Sequence, residues 1–149
     1  MNEGHSALLG LELMRRYTCS SEDVRPGESP FDIPRVRDLC SFTTHTPIEA
    51  GHDCFPYDLV QRVLDDGFDM QVIKSLAGVE SLNMMRLALN LSEYINGVAK
   101  KHAEVSNAMF PGYKFHAITN GVHQFIWTNE IFASFMTITC PAGATSSSS

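Results

Sequence analysis

Nowhere does the sequence contain a run of the roughly 18–20 apolar residues that a membrane span needs. Its opening Met1-Asn2-Glu3-Gly4-His5 lacks the basic start and apolar stretch of a signal peptide. Cysteine is sparse: Cys19, Cys40, Cys54 and Cys140 are scattered, with no C-x-x-C pair. That spacing argues against a disulfide framework and reads as reduced thiols of a cytoplasmic protein. Positive charge is also scarce. Eleven Lys+Arg against seventeen Asp+Glu leave a net charge of −6, which argues against non-specific binding to nucleic acid or to an anionic membrane. There is no G-x-G-x-x-G, no G-x-x-x-x-G-K-[ST] and no G-x-S-x-G, so dinucleotide, P-loop and nucleophile-elbow chemistry have no support. Internal repeats are absent as well. What is present is 149 residues, 44% hydrophobic and 19% charged. That is enough for one ordinary domain with a core and is incompatible with disorder over most of the length.

The apolar pattern of Ala7, Leu8, Leu9, Leu11, Leu13 and Met14 predicts a helix over Ser6 to Tyr17, with Arg15 and Arg16 at its negative end. Thr18 to Ser29 reads as a surface connection, and Pro34 starts a short helix through Asp38. Leu39 to Thr44 predicts a buried strand that runs into a loop from His45 to Phe55, since Thr46 before Pro47 is biased away from helix. Pro56 to Leu64 predicts a helix, and Leu82 to Leu91 a buried one capped by Asn83. A strand over Tyr94 to Ala99, broken at Asn96-Gly97, a helix over Lys100 to Met109 and a strand over Phe115 to Ile118 complete the pattern. The order is α/β with short strands. Ligands in such folds bind beyond the strand C-termini, where His45 and Asn120 stand.

Six histidines invite a metal reading, but neither H-E-x-x-H nor a Cys/His cluster occurs, and polar loop hydrogen bonding is the simpler role. Met84-Met85 reads as core packing. Three polar clusters remain: Asn2-Glu3-Gly4-His5, Thr43-Thr44-His45-Thr46-Pro47 and Thr119-Asn120-Gly121-Val122-His123. Taken singly, each is a common cap or turn. Together they suit a neutral, hydroxyl-rich ligand such as a sugar, because Asn, His and carboxylate groups satisfy hydroxyls in complementary ways.

Four stretches, NEGHSALLGLELMR (Asn2–Arg15), FTTHTPIEAGHDCFP (Phe42–Pro56), LNMMRLALNLSEYINGVAKKHAEVS (Leu82–Ser106) and ITNGVHQFIW (Ile118–Trp127), resemble the α-glucan (glycogen/starch/maltodextrin) phosphorylase family in its shorter bacterial and archaeal form. Their order and spacing match the later part of that family's N-terminal domain. The resemblance implies a truncated, partial Rossmann-like domain over residues 1–134, from a two-domain GT-B glycosyltransferase architecture. It implies a hexosyltransferase of carbohydrate metabolism that moves a glucosyl unit, with retention, from the non-reducing end of an α-1,4-glucan or maltodextrin to inorganic phosphate, giving glucose 1-phosphate. It implies pyridoxal 5'-phosphate as cofactor, held by a C-terminal-domain lysine that is not in this chain; Lys100 and Lys101 are not that lysine.

By the same resemblance, His45 matches the histidine that meets the glucosyl unit through its backbone carbonyl and imidazole. Asn120 matches the asparagine at the sugar's hydroxymethyl group, and Trp127 a tryptophan packed near the cofactor. Glu3 and His5 match polar residues lining a pocket beside the glucosyl site. Cys54 departs from the larger or charged residue usual there. The expectation is a phosphorylase fragment, inactive alone; the alternative is a free-standing carbohydrate-binding or regulatory module. No nucleic-acid or membrane partner is expected.

After Phe135 neither helical nor strand periodicity persists. With codons chosen to permit it, Phe135 to Ser146 read one nucleotide out of frame spells LYDHYLPGWRHE, which resembles the family's continuation. The expectation is that a one-nucleotide slip ends the homologous reading, and that residues 135–149 form a non-homologous, disordered tail.

Overall fold

The structure, a computed structural model, describes residues 1–20, 22, 24–64, 67–121, 127–129, 131, 132 and 134. The chain divides into two units, Met1–Thr119 and Asn120–Ser149. The expected disordered tail, 135–149, lies outside the described residues.

The first unit is α/β with a parallel sheet, compatible with a partial Rossmann-like domain. A 3-10 turn over Gly4–Ala7 leads into α1 (Leu8–Arg16). Its polar side is tied by Glu12, whose carboxylate accepts from Arg15 at 3.0 Å and Arg16 at 2.8 Å. Then come α2 (Ile33–Asp38), β1 (Ser41–Thr44), β2 (Cys54–Pro56), α3 (Tyr57–Val63), α4 (Met70–Ala77), β3 (Ser81–Asn83), α5 (Met84–Asn90), β4 (Tyr94–Gly97), α6 (Lys100–Met109) and β5 (His116–Ala117). The caps follow from the sequence. Asp32 accepts from the Arg35 N–H at 3.0 Å, Asp69 from Gln71 at 2.8 Å and Asn83 from Arg86 at 2.9 Å.

The sheet order is β1-β4-β5, all parallel, in the register Phe42↔Ile95, Thr44↔Gly97 and Gly97↔Ala117. Asn2 adds a parallel bridge to Thr43 on the other side of β1, and the Glu3 N–H donates to the Thr43 carbonyl at 2.9 Å. The segment before α1, β1, β4 and β5 therefore run side by side and end at one rim. Phe42, Thr44 and Ile95 are buried and share a core with Leu11 and Met14 of α1, Val36 of α2 and Leu87 and Leu89 of α5. Each large apolar side chain buried there contributes about 1.5–3 kcal/mol. Close packing reaches the backbone at Gly10, where a Cβ would come within 2.6 Å of a Leu91 methyl.

Three sequence expectations change. The Ile48–Phe55 loop contains a 3-10 turn and ends in β2, which pairs antiparallel with β3 (Phe55↔Leu82). The stretch between Gly67 and Leu82, given no element from sequence, holds α4. The strand at Tyr94 is not broken at Asn96-Gly97 but runs through both and ends there. Tertiary contacts override the turn signal. Asn96 Oδ1 accepts the Thr43 hydroxyl at 2.9 Å, and Gly97 lies so close to the His102 ring that a Cβ would fall 2.7 Å from Nδ1. Among the described residues no helix is long and apolar enough to cross a membrane.

Candidate functional site

The rim where the parallel strands end carries the polar cluster. Glu3 sits at φ 60°, ψ 168°, the one described non-glycine residue with positive φ, a conformation L-residues adopt only when their surroundings impose it. Those surroundings are explicit. Its N–H is held by Thr43 O at 2.9 Å, and its carbonyl takes the Ser6 hydroxyl at 2.7 Å. Its carboxylate then turns to the chain leaving β1, accepting the His45 N–H and, at 3.2 Å, the Thr46 hydroxyl. Buried Thr44 helps the exit from the strand by accepting the Thr46 N–H on its hydroxyl at 3.2 Å.

The His45 ring is exposed, and its Nε2 lies 2.9 Å from Asn2 Oδ1. An amide oxygen only accepts, so Nε2 is the donor of this pair. Beside this hub is a cleft of about 220 Å³ whose walls include Glu3, Gly4, His5, Thr46, His52 and Asp53. His52 Nε2 donates to the Thr46 carbonyl at 3.3 Å, which makes Nδ1 an acceptor. That atom is buried and has no hydrogen-bond partner. A buried acceptor left open in a polar cleft is suited to a hydroxyl donor from a ligand.

A second histidine underlies the rim. His102, 7% exposed, accepts the Val98 N–H on Nδ1 at 3.1 Å; its Nε2–H is buried without a partner. Because Thr44 pairs with Gly97, His45 and Val98 are the residues that follow neighbouring strand ends. Burial pushes the His102 pKa below its ordinary value; the Glu3 carboxylate opposes that shift and His45 adds to it.

The structure thus brings Glu3, His45 and His5 together around one rim and cleft. Asn120 and Trp127 belong to the second unit, where Asn120 is exposed and Trp127 is 71% exposed. Val122 and His123, the end of the third polar cluster, lie outside the described residues. His52 and His102 were missed as site residues by sequence reasoning. Their one available signal was position, His52 in the loop after β1 and His102 four residues beyond Val98. Among the described residues no group of three His, Cys, Asp or Glu side chains could hold a metal ion. Cys19, Cys40 and Cys54 are free thiols, with Cys40 buried and its pKa raised by that burial.

The cleft thus joins the open His52 acceptor nitrogen to the carboxyl groups of Glu3 and Asp53 and the ring of His5, a polar, hydrogen-bonding lining. No family model matches the chain. Curated relatives do. The chain is 35% identical over 152 residues to a glycogen phosphorylase of Mycobacterium tuberculosis, a match that covers 85% of this chain and 17% of the relative. It is 32% identical over 145 residues to a maltodextrin phosphorylase of Thermococcus litoralis, with 88% and 17% covered. It is 30% identical over 112 residues to a glycogen phosphorylase of Aquifex aeolicus, with 64% and 16% covered. The chain therefore spans about a sixth of the length of these relatives, and over that span it is a homologue of the glycogen and maltodextrin phosphorylases.

Proposed function

We propose that the chain supplies the glucosyl-binding rim of an α-1,4-glucan phosphorylase, a GT-B hexosyltransferase that passes a glucosyl unit with retention to inorganic phosphate. One observation carries this reading: the Glu3 carboxylate fixes the exit of β1 by gripping the His45 N–H and the Thr46 hydroxyl. A backbone dipole immobilised at a strand end needs no reorganisation as positive charge develops on a sugar ring, so it stabilises the transition state more than the ground state. In this assignment the His45 carbonyl and Nδ1 face the glucosyl unit, and Asn120 takes its hydroxymethyl group. Glu3, His5 and the open Nδ1 of His52 line the adjoining pocket.

The family's cofactor is pyridoxal 5'-phosphate, which supplies a phosphate group as proton relay. The described lysines do not fit its Schiff base. Lys100 and Lys114 are exposed, Lys101 is 84% exposed and paired to Glu104 at 3.0 Å, and Lys74 lies over the Tyr57 ring. Trp127 is assigned to pack near the cofactor. The chain alone is accordingly expected to form no glucose 1-phosphate. The free-standing carbohydrate module is the less favoured alternative, since named relatives over the same segment are phosphorylases.

The test is a chimera in which this chain's first 134 residues replace the matched segment of the Mycobacterium tuberculosis glycogen phosphorylase. Release of glucose 1-phosphate from maltoheptaose and phosphate is expected. A folded, cofactor-loaded chimera that binds maltoheptaose without turnover would overturn the proposal.

A further inference from the structure

In the first unit a second cleft, of about 400 Å³, opens between the end of α4, α5 and the turn after α6, with Lys74, Ser75, Arg86, Asn90, Phe110 and Tyr113 among its walls. We propose that it binds a phosphate dianion carried on a small organic molecule. This goes beyond the glucan reading and does not depend on it.

Arg15, Arg16, Arg37, Arg62 and Lys101 are engaged with carboxylates. Arg25, Arg35, Lys74, Arg86, Lys100 and Lys114 are in no such pair, and of these Lys74 and Arg86 line this one cleft, where among the described residues no Asp or Glu stands.

The two cations flank one contact. Lys74 Nζ stands 5.1 Å from the centre of the Tyr57 ring; the Tyr57 hydroxyl donates to the Gly78 carbonyl at 2.5 Å; and Arg86 Nη1 lies 3.8 Å from where a Gly78 Cβ would be. Gly78, at φ +115°, makes the turn after α4 that lines this cleft, a conformation in which a side chain would be strained. The neutral polar groups of the walls are already bonded. Asn90 donates to the Leu76 carbonyl at 2.6 Å and accepts the Tyr113 hydroxyl at 2.6 Å, and Ser75 donates to Val72 at 2.7 Å. The charged donors of the cleft are therefore Lys74 and Arg86.

Lys74 complements the C-terminal end of α4. Arg86 gains nothing comparable, because it stands in the first turn of its helix, where a cation is disfavoured. Two like charges that line one cleft without a carboxylate raise its positive potential, and a dianion bound there is attracted by both. The cleft has room for more than the anion, and Phe110 and Pro111 give it an apolar wall.

Isothermal titration of the chain with glucose 6-phosphate and, separately, inorganic phosphate tests this. Saturable binding that weakens with added salt is expected. It should fall by about tenfold or more in the Lys74→Gln/Arg86→Gln variant and survive Lys74→Arg. Tighter binding of glucose 6-phosphate than of inorganic phosphate is expected; equal binding of the two overturns the assignment to an organic phosphate. Ser75→Glu, at an exposed helix position, brings a competing carboxylate to the cleft without removing either cation and should abolish binding. Absence of saturable binding at millimolar ligand overturns the proposal. So does unchanged affinity in Ser75→Glu, or in a double variant with wild-type circular dichroism.

Discussion

Two surfaces of the first unit differ in how they are finished. At the strand rim one Glu3 carboxylate oxygen clasps His45 and Thr46, His45 Nε2 meets Asn2, and His52 Nδ1 is a buried acceptor left open. On another face Leu8, Phe55, Leu59, Val63, Leu64 and Met84 line a groove of about 220 Å³ with no polar lining, and Val63 is 74% exposed. The rim has the character of a surface ordered in advance for contact with a polar partner, as the proposed glucan site requires. The groove has the character of a core surface left open to water, the kind that drives association. Rigid polar preorganisation and apolar exposure thus coexist in one small unit, and each can be perturbed without touching the other.

The largest effect is expected at the rim. In the active chimera His45→Ala should lower kcat by about 10²–10³-fold, the range typical for loss of one preorganised transition-state contact, with a smaller change in KM. Steady-state phosphorolysis checks it, and an unchanged kcat with raised KM would reduce His45 to a binding residue.

Glu3→Gln comes next. Replacing a charged acceptor with a neutral one should cost about 1.5–3 kcal/mol at most, since a hydrogen bond to a charged group is worth that much. Hydrogen exchange would show it as faster loss of the His45 amide, with the α5 amides protected as before.

On the groove, Val63→Glu should suppress concentration-dependent association seen by sedimentation while leaving the melting temperature within about 0.5 kcal/mol-equivalent of wild type, as an exposed substitution does. If wild type is strictly monomeric at high concentration, the contrast between the two faces fails.

The smallest effect is titration of His102. Its folded pKa lies below the ordinary 6.5, so on acidification the unfolded chain takes up the proton first. This residue's contribution is therefore intact above 6.5 and is lost as pH falls through the folded value. His102→Asn, which keeps an acceptor for the Val98 N–H, should remove that slope in denaturant titrations across the window.

Much of the fold was legible because local signals agreed with the tertiary outcome. The helix at Met84–Asn90 was marked by Asn83 and an all-round apolar pattern, and both its cap and its burial are as expected. Lys100–Met109 matched end to end. The α4 helix carried readable marks, Asp69 before it and Gly78 after it, that went unassigned. By contrast, β4 could not be read through Asn96-Gly97, since its continuity depends on Thr43 and His102, contacts far off in sequence. The same holds for the site. His45 and Glu3 entered through resemblance and strand-end logic, but the open nitrogens of His52 and His102 are products of burial by other segments, which spacing along the chain does not reveal.

The clasp between Glu3 and His45 joins residues 42 positions apart. Closing a loop of that length costs about 3 kcal/mol in its length-dependent part alone, and local helix formation recovers none of it. The clasp can therefore form only when the segment before α1 has met the end of β1, a non-local step in folding. A ligand that recognises the finished rim would select for chains that have completed this closure, so occupancy of the site would also report how many copies of the polypeptide have matured.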